Sequence, residues 1–251
     1  MLLRSLASAF LMYSRIPMPK VEWREENRRY ALCFFPLIGL VIGALLFLWD
    51  CICGILFINS MVRGAVALLL PVIVTGGIHI DGFCDTIDAL SSYSDKSRSL
   101  EIMKDPHIGS FSVIALCSVM LLQFALLCEV NNYAAVAVGF VLSRSLSGLA
   151  AVTMKNARSG GSLQSFSKPA HKQVTVAVLS VTAVLCAAAE LSTGLTTGVF
   201  VCAAAALCLV YYRFTAYRRF GGITGDTEGW FLQITETAIL AAVYIAEVLA
   251  I

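Results

Sequence analysis

The chain has 251 residues, is 59% hydrophobic and only 14% charged, and carries a formal net charge of +2. A mean hydropathy of +0.83 excludes an ordinary soluble domain. The near-zero net charge says little, so the placement of the charges carries the argument.

In chain order, residues 1–13 come first, with Leu2, Leu3, Leu6, Ala9, Phe10 and Met12 between Arg4 and Arg15. The stretch is too short to span a bilayer. It predicts an amphipathic helix lying on the membrane surface, with no cleavable signal peptide. Seven apolar runs follow, near 31–49, 62–80, 109–128, 133–154, 173–189, 194–212 and 230–250. A spanning helix needs about 20 such residues. The expected fold is all-α: a polytopic transmembrane helix bundle of about seven spans, forming one integral membrane domain over 1–251.

Every lysine and arginine except Arg63 and Arg144 falls in the first 30 residues or in the second-to-third, fourth-to-fifth and sixth-to-seventh connections. The alternate connections, near 50–61, 129–132 and 190–193, hold none. Positive residues mark the cytoplasmic side. The expected orientation is therefore N-terminus cytoplasmic and C-terminus outside, in an inner (cytoplasmic) membrane. The nine cysteines show no CxxC spacing and lie mostly in apolar runs, as small buried hydrophobes do.

At the end of the second run stands Thr75-Gly76-Gly77-Ile78-His79-Ile80-Asp81-Gly82-Phe83-Cys84-Asp85-Thr86-Ile87-Asp88. Asp81, Asp85 and Asp88 are spaced i, i+4, i+7, which places them on one face of a helix. Three carboxylates on one face repel unless a cation sits among them, and carboxylate oxygens suit Mg²⁺. The competing reading is a solvated acidic helix start. His79 has the chemistry of a general base, or of a group that orients an aspartate.

Farther on, Lys104 offers a charge for phosphate, and Asp105 is a further acid before the helix-stopping Pro106. Arg144 lies inside the fourth run, where an unpaired arginine costs at least ~2.5 kcal/mol, so a polar cavity or Glu236 is its expected neighbour. Gly221-Gly222-Ile223-Thr224-Gly225-Asp226-Thr227-Glu228-Gly229 forms a second glycine-rich acidic segment. Its amides suggest an anion-binding nest. Both segments emerge on the same side of the bundle.

Together these segments resemble cobalamin synthase, the adenosylcobinamide-GDP ribazoletransferase family. The resemblance covers nearly the whole chain. Its further carriers are Ser14-Arg15-Ile16-Pro17-Met18-Pro19, Phe35-Pro36-Leu37-Ile38-Gly39 and Met103-Lys104-Asp105. The family usually has Ala where Cys84 stands, Gly at Ala89, Arg at His107 and Gly at Ser143.

The resemblance implies a Mg²⁺-dependent transfer. A hydroxyl of α-ribazole, or of its 5′-phosphate, attacks adenosylcobinamide-GDP and releases GMP. It further implies Asp81, Asp85 and Asp88 on the metal and pyrophosphate, and His79, Asp226 and Asp105 as catalytic groups. Arg15, Lys104, Arg144, Gly222, Thr224 and Gly225 are the expected substrate contacts. The lipid bilayer is an expected partner, nucleic acid is not, and small-residue spans such as Ala203–Ala206 leave a homo-oligomer open.

Two other readings compete with this one. A CDP-alcohol phosphotransferase begins its motif Asp-Gly-x-x-Ala-Arg, whereas Asp81-Gly82-Phe83-Cys84 runs on into Asp85-Thr86. A transporter needs polar exits on both faces, and the alternate connections are nearly bare.

Overall fold

The computed structural model describes residues 2–250. Its helices are α1 (Leu2–Tyr13), α2 (Glu25–Arg28), α3 (Phe35–Leu56), α4 (Ser60–Thr75), α5 (Ile78–Ser91), α6 (Lys96–Ile102) and α7 (Ser110–Glu129). There follow α8 (Tyr133–Thr153), α9 (Ser162–Ser167), α10 (Lys172–Thr193), α11 (Leu195–Thr215) and α12 (Gly225–Leu249). A 3-10 turn at Ala31–Phe34 leads into α3, and a π turn at Ala216–Phe220 ends α11. Among the described residues there is no strand, only an isolated bridge between Asn156 and Ile223.

Six helices are long and apolar enough to cross a membrane, and seven when the bent pair α4 and α5 counts as one span. The expected run over 62–80 does not continue straight: α5 leaves α4 at 92°. Gly76 (φ +67°) and Gly77 (φ +79°) are both left-handed, a conformation that costs little without a Cβ. The last span starts at Gly225, before the expected 230, because the Thr224 side chain caps the Thr227 amide at 3.1 Å. Side chains such as Ile55, Phe57, Leu121 and Leu195 stand exposed, as a lipid-facing surface requires.

Polar ties separate the two ends of the bundle. At one end Arg63 donates to the carbonyls of Cys128 (2.9 Å) and Val130 (3.1 Å) and pairs with Asp50 (3.4 Å). There too the Asn132 amide donates to Glu247 at 2.6 Å, joining the α7–α8 turn to the far end of α12. At the other end the Arg15 amide meets the Val74 carbonyl (2.7 Å), Arg219 meets the Leu90 carbonyl (3.2 Å), and the Lys155 amide meets the Tyr217 hydroxyl (2.9 Å). Both glycine-rich acidic segments lie at this second end.

Between apolar helices in lipid, attraction comes from close packing rather than from water exclusion. Gly39 and Gly43, one turn apart on α3, press on the backbone of α8. A Cβ at Gly43 would stand 2.6 Å from the Ala137 carbonyl oxygen.

α8 and α12 are joined by one ion pair. Arg144, fully buried, meets Glu236 at 2.7 Å and also donates to the Phe140 carbonyl at 3.0 Å. Of the two expected surroundings, a polar cavity or Glu236, the direct partner is Glu236. Arg144→Met should lower the unfolding free energy by about 3 kcal/mol, because it leaves a buried unpaired carboxylate. Adding Glu236→Leu should return most of that loss. Reversible detergent-driven unfolding of wild type, both single variants and the double variant measures the coupling.

Candidate active site

The site is built where α5 crosses α12. Neither helix has a side chain at the crossing: a Cβ on Gly82 would lie 2.8 Å from the Asp226 carbonyl oxygen, and one on Gly229 would lie 2.9 Å from that of His79. This approach brings the two acidic segments together across more than 140 residues of chain.

Two cavities flank the crossing. An outer cleft of about 1160 Å³ is lined by Arg15, Lys20, Asp81, Asp85, Lys104 and Asp105, among others. An inner pocket of about 250 Å³ holds His79, Asp81, Ser147, Asp226 and Glu228 against Tyr13 and Phe35. Met12, Ile78 and Asp81 line both, so the cavities adjoin along these residues.

The three aspartates share a face of α5, but their surroundings differ. Asp88 is occupied: its carboxylate accepts the amides of Gly109 (2.7 Å) and Ser112 (3.3 Å) at the start of α7. Asp226 pairs with Arg158 at 2.6 Å. Asp81 is exposed and Asp85 half-buried, and neither is drawn into a hydrogen bond or ion pair with another described residue. Asp105, exposed on the cleft wall, accepts the amide (3.0 Å) and ring Nδ1 (2.7 Å) of His107. Those contacts, the amide first, hold its carboxyl below the usual carboxylate range, so it is an anion throughout the neutral range.

Other expected residues take other positions. His79 turns away from the aspartate face of α5 and lines the inner pocket as well as the neighbouring cavity beside Arg144 and Glu236, with Nε2 sealed from solvent and without a partner. Arg144 is enclosed with Glu236 inside the bundle and does not line the outer cleft. The glycine-rich turn does not form the expected anion nest. The amides of Gly221 and Gly222 go to the Ala216 carbonyl, that of Ile223 to Lys155, and that of Thr224 to the Thr227 hydroxyl. Gly222 serves instead to let the 155–157 segment lie close, and the Thr224 hydroxyl caps α12. Gly225 opens α12 and lines the inner pocket.

The chain matches the cobalamin-5-phosphate synthase family over residues 5–244. It belongs to that family. A protein of Lachnoclostridium phytofermentans named adenosylcobinamide-GDP ribazoletransferase is 42% identical over 98% of this chain and 95% of its own length. Proteins of the same name from Acinetobacter baumannii (33%) and Clostridium botulinum (29%) align over 94% of this chain and 94% of their own. No solved structure matches the chain.

Within this cobalamin-5-phosphate synthase fold, no group of three His, Cys, Asp or Glu side chains among the described residues is arranged to hold a metal ion alone. The free donors are the carboxylates of Asp81 and Asp85. That set fits Mg²⁺, which is typically held by one or two carboxylates and completes its shell with substrate phosphate and water.

Two functional contacts escaped the sequence reading. The Arg158–Asp226 pair joins residues 68 apart, and nothing in the sequence around Arg158 signals it. The Asp88 cap on α7 was signalled faintly, by Gly109-Ser110-Phe111-Ser112 opening an apolar helix without an acid of its own. Asp88→Ala should therefore lower stability by about 1 kcal/mol through loss of that cap, whereas Asp81→Asn should leave stability within error. Thermal unfolding of the two purified variants separates them.

Proposed function

We propose that this protein is an adenosylcobinamide-GDP ribazoletransferase, acting late in cobalamin biosynthesis. One observation carries the reading. In a chain whose full-length relatives bear that name, two free carboxylates and three cations, Arg15, Lys20 and Lys104, share one cleft large enough for a bulky diphosphate.

A hydroxyl of α-ribazole, or of α-ribazole 5′-phosphate, attacks the cobinamide-side phosphorus. A new P–O bond forms, the bond from that phosphorus to the bridging oxygen breaks, and GMP leaves with the electron pair. The product is adenosylcobalamin or its 5′-phosphate. The hydroxyl proton passes to a base, for which Asp226 and His79 are the groups in the adjoining pocket. Arg15 and Lys104 hold the diphosphate by charge, and the cleft walls fix its orientation. Asp81 and Asp85 would hold Mg²⁺, which when bound neutralises charge building on phosphate oxygens. Asp88, tied to α7, steadies the α5 face that carries them.

The orientation belongs to the same reading. Nucleotide substrates and GMP reside in the cytoplasm, and the cleft opens at the end of the bundle where lysine and arginine collect. The N-terminus and the Asp81 cleft therefore face the cytoplasm.

GMP release from adenosylcobinamide-GDP and α-ribazole, in detergent with Mg²⁺ titrated, tests the reaction. Asp81→Asn and Asp85→Asn should each lower turnover on the order of 100-fold or more. Near-normal turnover in both variants with Mg²⁺ limiting would remove the carboxylates from the mechanism. Orientation is checked by impermeant thiol labelling of right-side-out vesicles, in a background lacking Cys51 and Cys117. Phe57→Cys should label and Tyr93→Cys should not; the reverse pattern inverts the topology.

A further inference from the structure

The inner pocket has no assigned occupant. Its polar groups are unusual for a wall inside a bundle. Glu228 is only 6% exposed; one carboxylate oxygen accepts the Ser147 hydroxyl while Oε1 has no partner. His79, whose Nε2 has no partner, lines this pocket as well as the neighbouring cavity beside Arg144 and Glu236. A buried polar atom without a hydrogen bond costs on the order of 1–3 kcal/mol. On a residue that lines a cavity, such an atom marks a place where a ligand supplies the missing partner.

The rest of the wall is apolar and partly aromatic, with Tyr13, Phe35, Leu163 and Leu232 facing the small residues Gly148 and Ala151. Such walls suit a flat heteroaromatic ring. The pocket's 250 Å³ is too small for a corrinoid, whereas the outer cleft is more than four times larger. The two cavities adjoin along Met12, Ile78 and Asp81, so an alcohol seated in one meets a phosphate seated in the other.

We infer that the inner pocket binds the acceptor nucleoside, with its heterocycle between Tyr13, Phe35 and α8, a ribose hydroxyl donating to Glu228 Oε1, and its reacting hydroxyl directed at Asp81. This rests on the transferase reading above and extends it to Glu228, a specificity-determining residue. The outer cleft is then left to the diphosphate donor, which approaches from the opposite side of Asp81. That arrangement suits in-line displacement, in which attacking and leaving oxygens lie on opposite sides of the phosphorus.

The test is titration calorimetry of detergent-solubilised full-length protein with α-ribazole, and separately with the cobinamide-GDP donor. Wild type is compared with Glu228→Gln, which alters the free oxygen, and with Leu163→Trp, which fills the pocket from the side of the wall formed by α9. Both variants should weaken α-ribazole about tenfold or more, the equivalent of one lost hydrogen bond or more. Donor affinity should stay within about twofold of wild type, which also shows that the variants are folded. Wild-type protein that binds α-ribazole and releases GMP, with neither variant changing α-ribazole affinity, overturns the pocket assignment and leaves the transferase reading standing. Loss of donor affinity instead, in folded variants, also overturns it by making the pocket part of the donor site. Folded wild type that releases no GMP overturns the transferase reading and this inference with it.

Discussion

The crossing of α5 over α12 is the constraint on which the site depends. Two backbones meet there with only hydrogen atoms between them, because Gly82 and Gly229 leave no room for a Cβ. The approach sets the aspartate face of α5 beside Asp226 and divides the space into an inner and an outer cavity. A wider crossing would merge the cavities or separate the acids. The bend at Gly76-Gly77 has the same purpose upstream, since it swings α5 out of line with α4 and across the bundle end.

Carboxylates in a largely apolar chain have to be accounted for, and each one near the site has a different use. Glu236 neutralises Arg144 within the bundle. Asp88 closes the amide end of α7, and Asp226 takes Arg158. What remains unspent is Asp81 and Asp85 in the outer cleft and one oxygen of Glu228 in the inner pocket. Protein groups that are already satisfied hold the framework, while unsatisfied ones are available to ligands. The division follows from the high cost of leaving polar groups unpaired where water is scarce.

The two ends of the bundle differ in kind for a related reason. The turns near Phe57 and Asn131 are short and carry only the hydrogen bonds that tie helices together. The opposite end carries α1, α5, α6, α9 and the loops between them, and with these nearly all the cationic side chains. A transfer from adenosylcobinamide-GDP to α-ribazole needs only one polar face, and the spans act as a scaffold that fixes it. Little covalent chemistry is asked of the protein; placement of phosphorus, hydroxyl and charge does most of the work.

The helical bundle, its seven apolar runs and the acidic face of α5 were legible from sequence, because each rests on local periodicity, run length or charge placement. Arg144 meeting Glu236 was legible too, since a buried arginine has few partners to choose from. The hydropathy of the 62–80 run does not register the 92° bend that two left-handed glycines make. The anion nest was expected because composition does not reveal where amides point; the fold had already given them to Ala216, Lys155 and Thr227. Sequence by itself determined the helices, the family motifs and which residues carry charge, all properties of neighbours along the chain. Only the tertiary structure decided which of those charges stay free, because Arg158, Gly109 and Ser147 reach their carboxylate partners from distant parts of the chain.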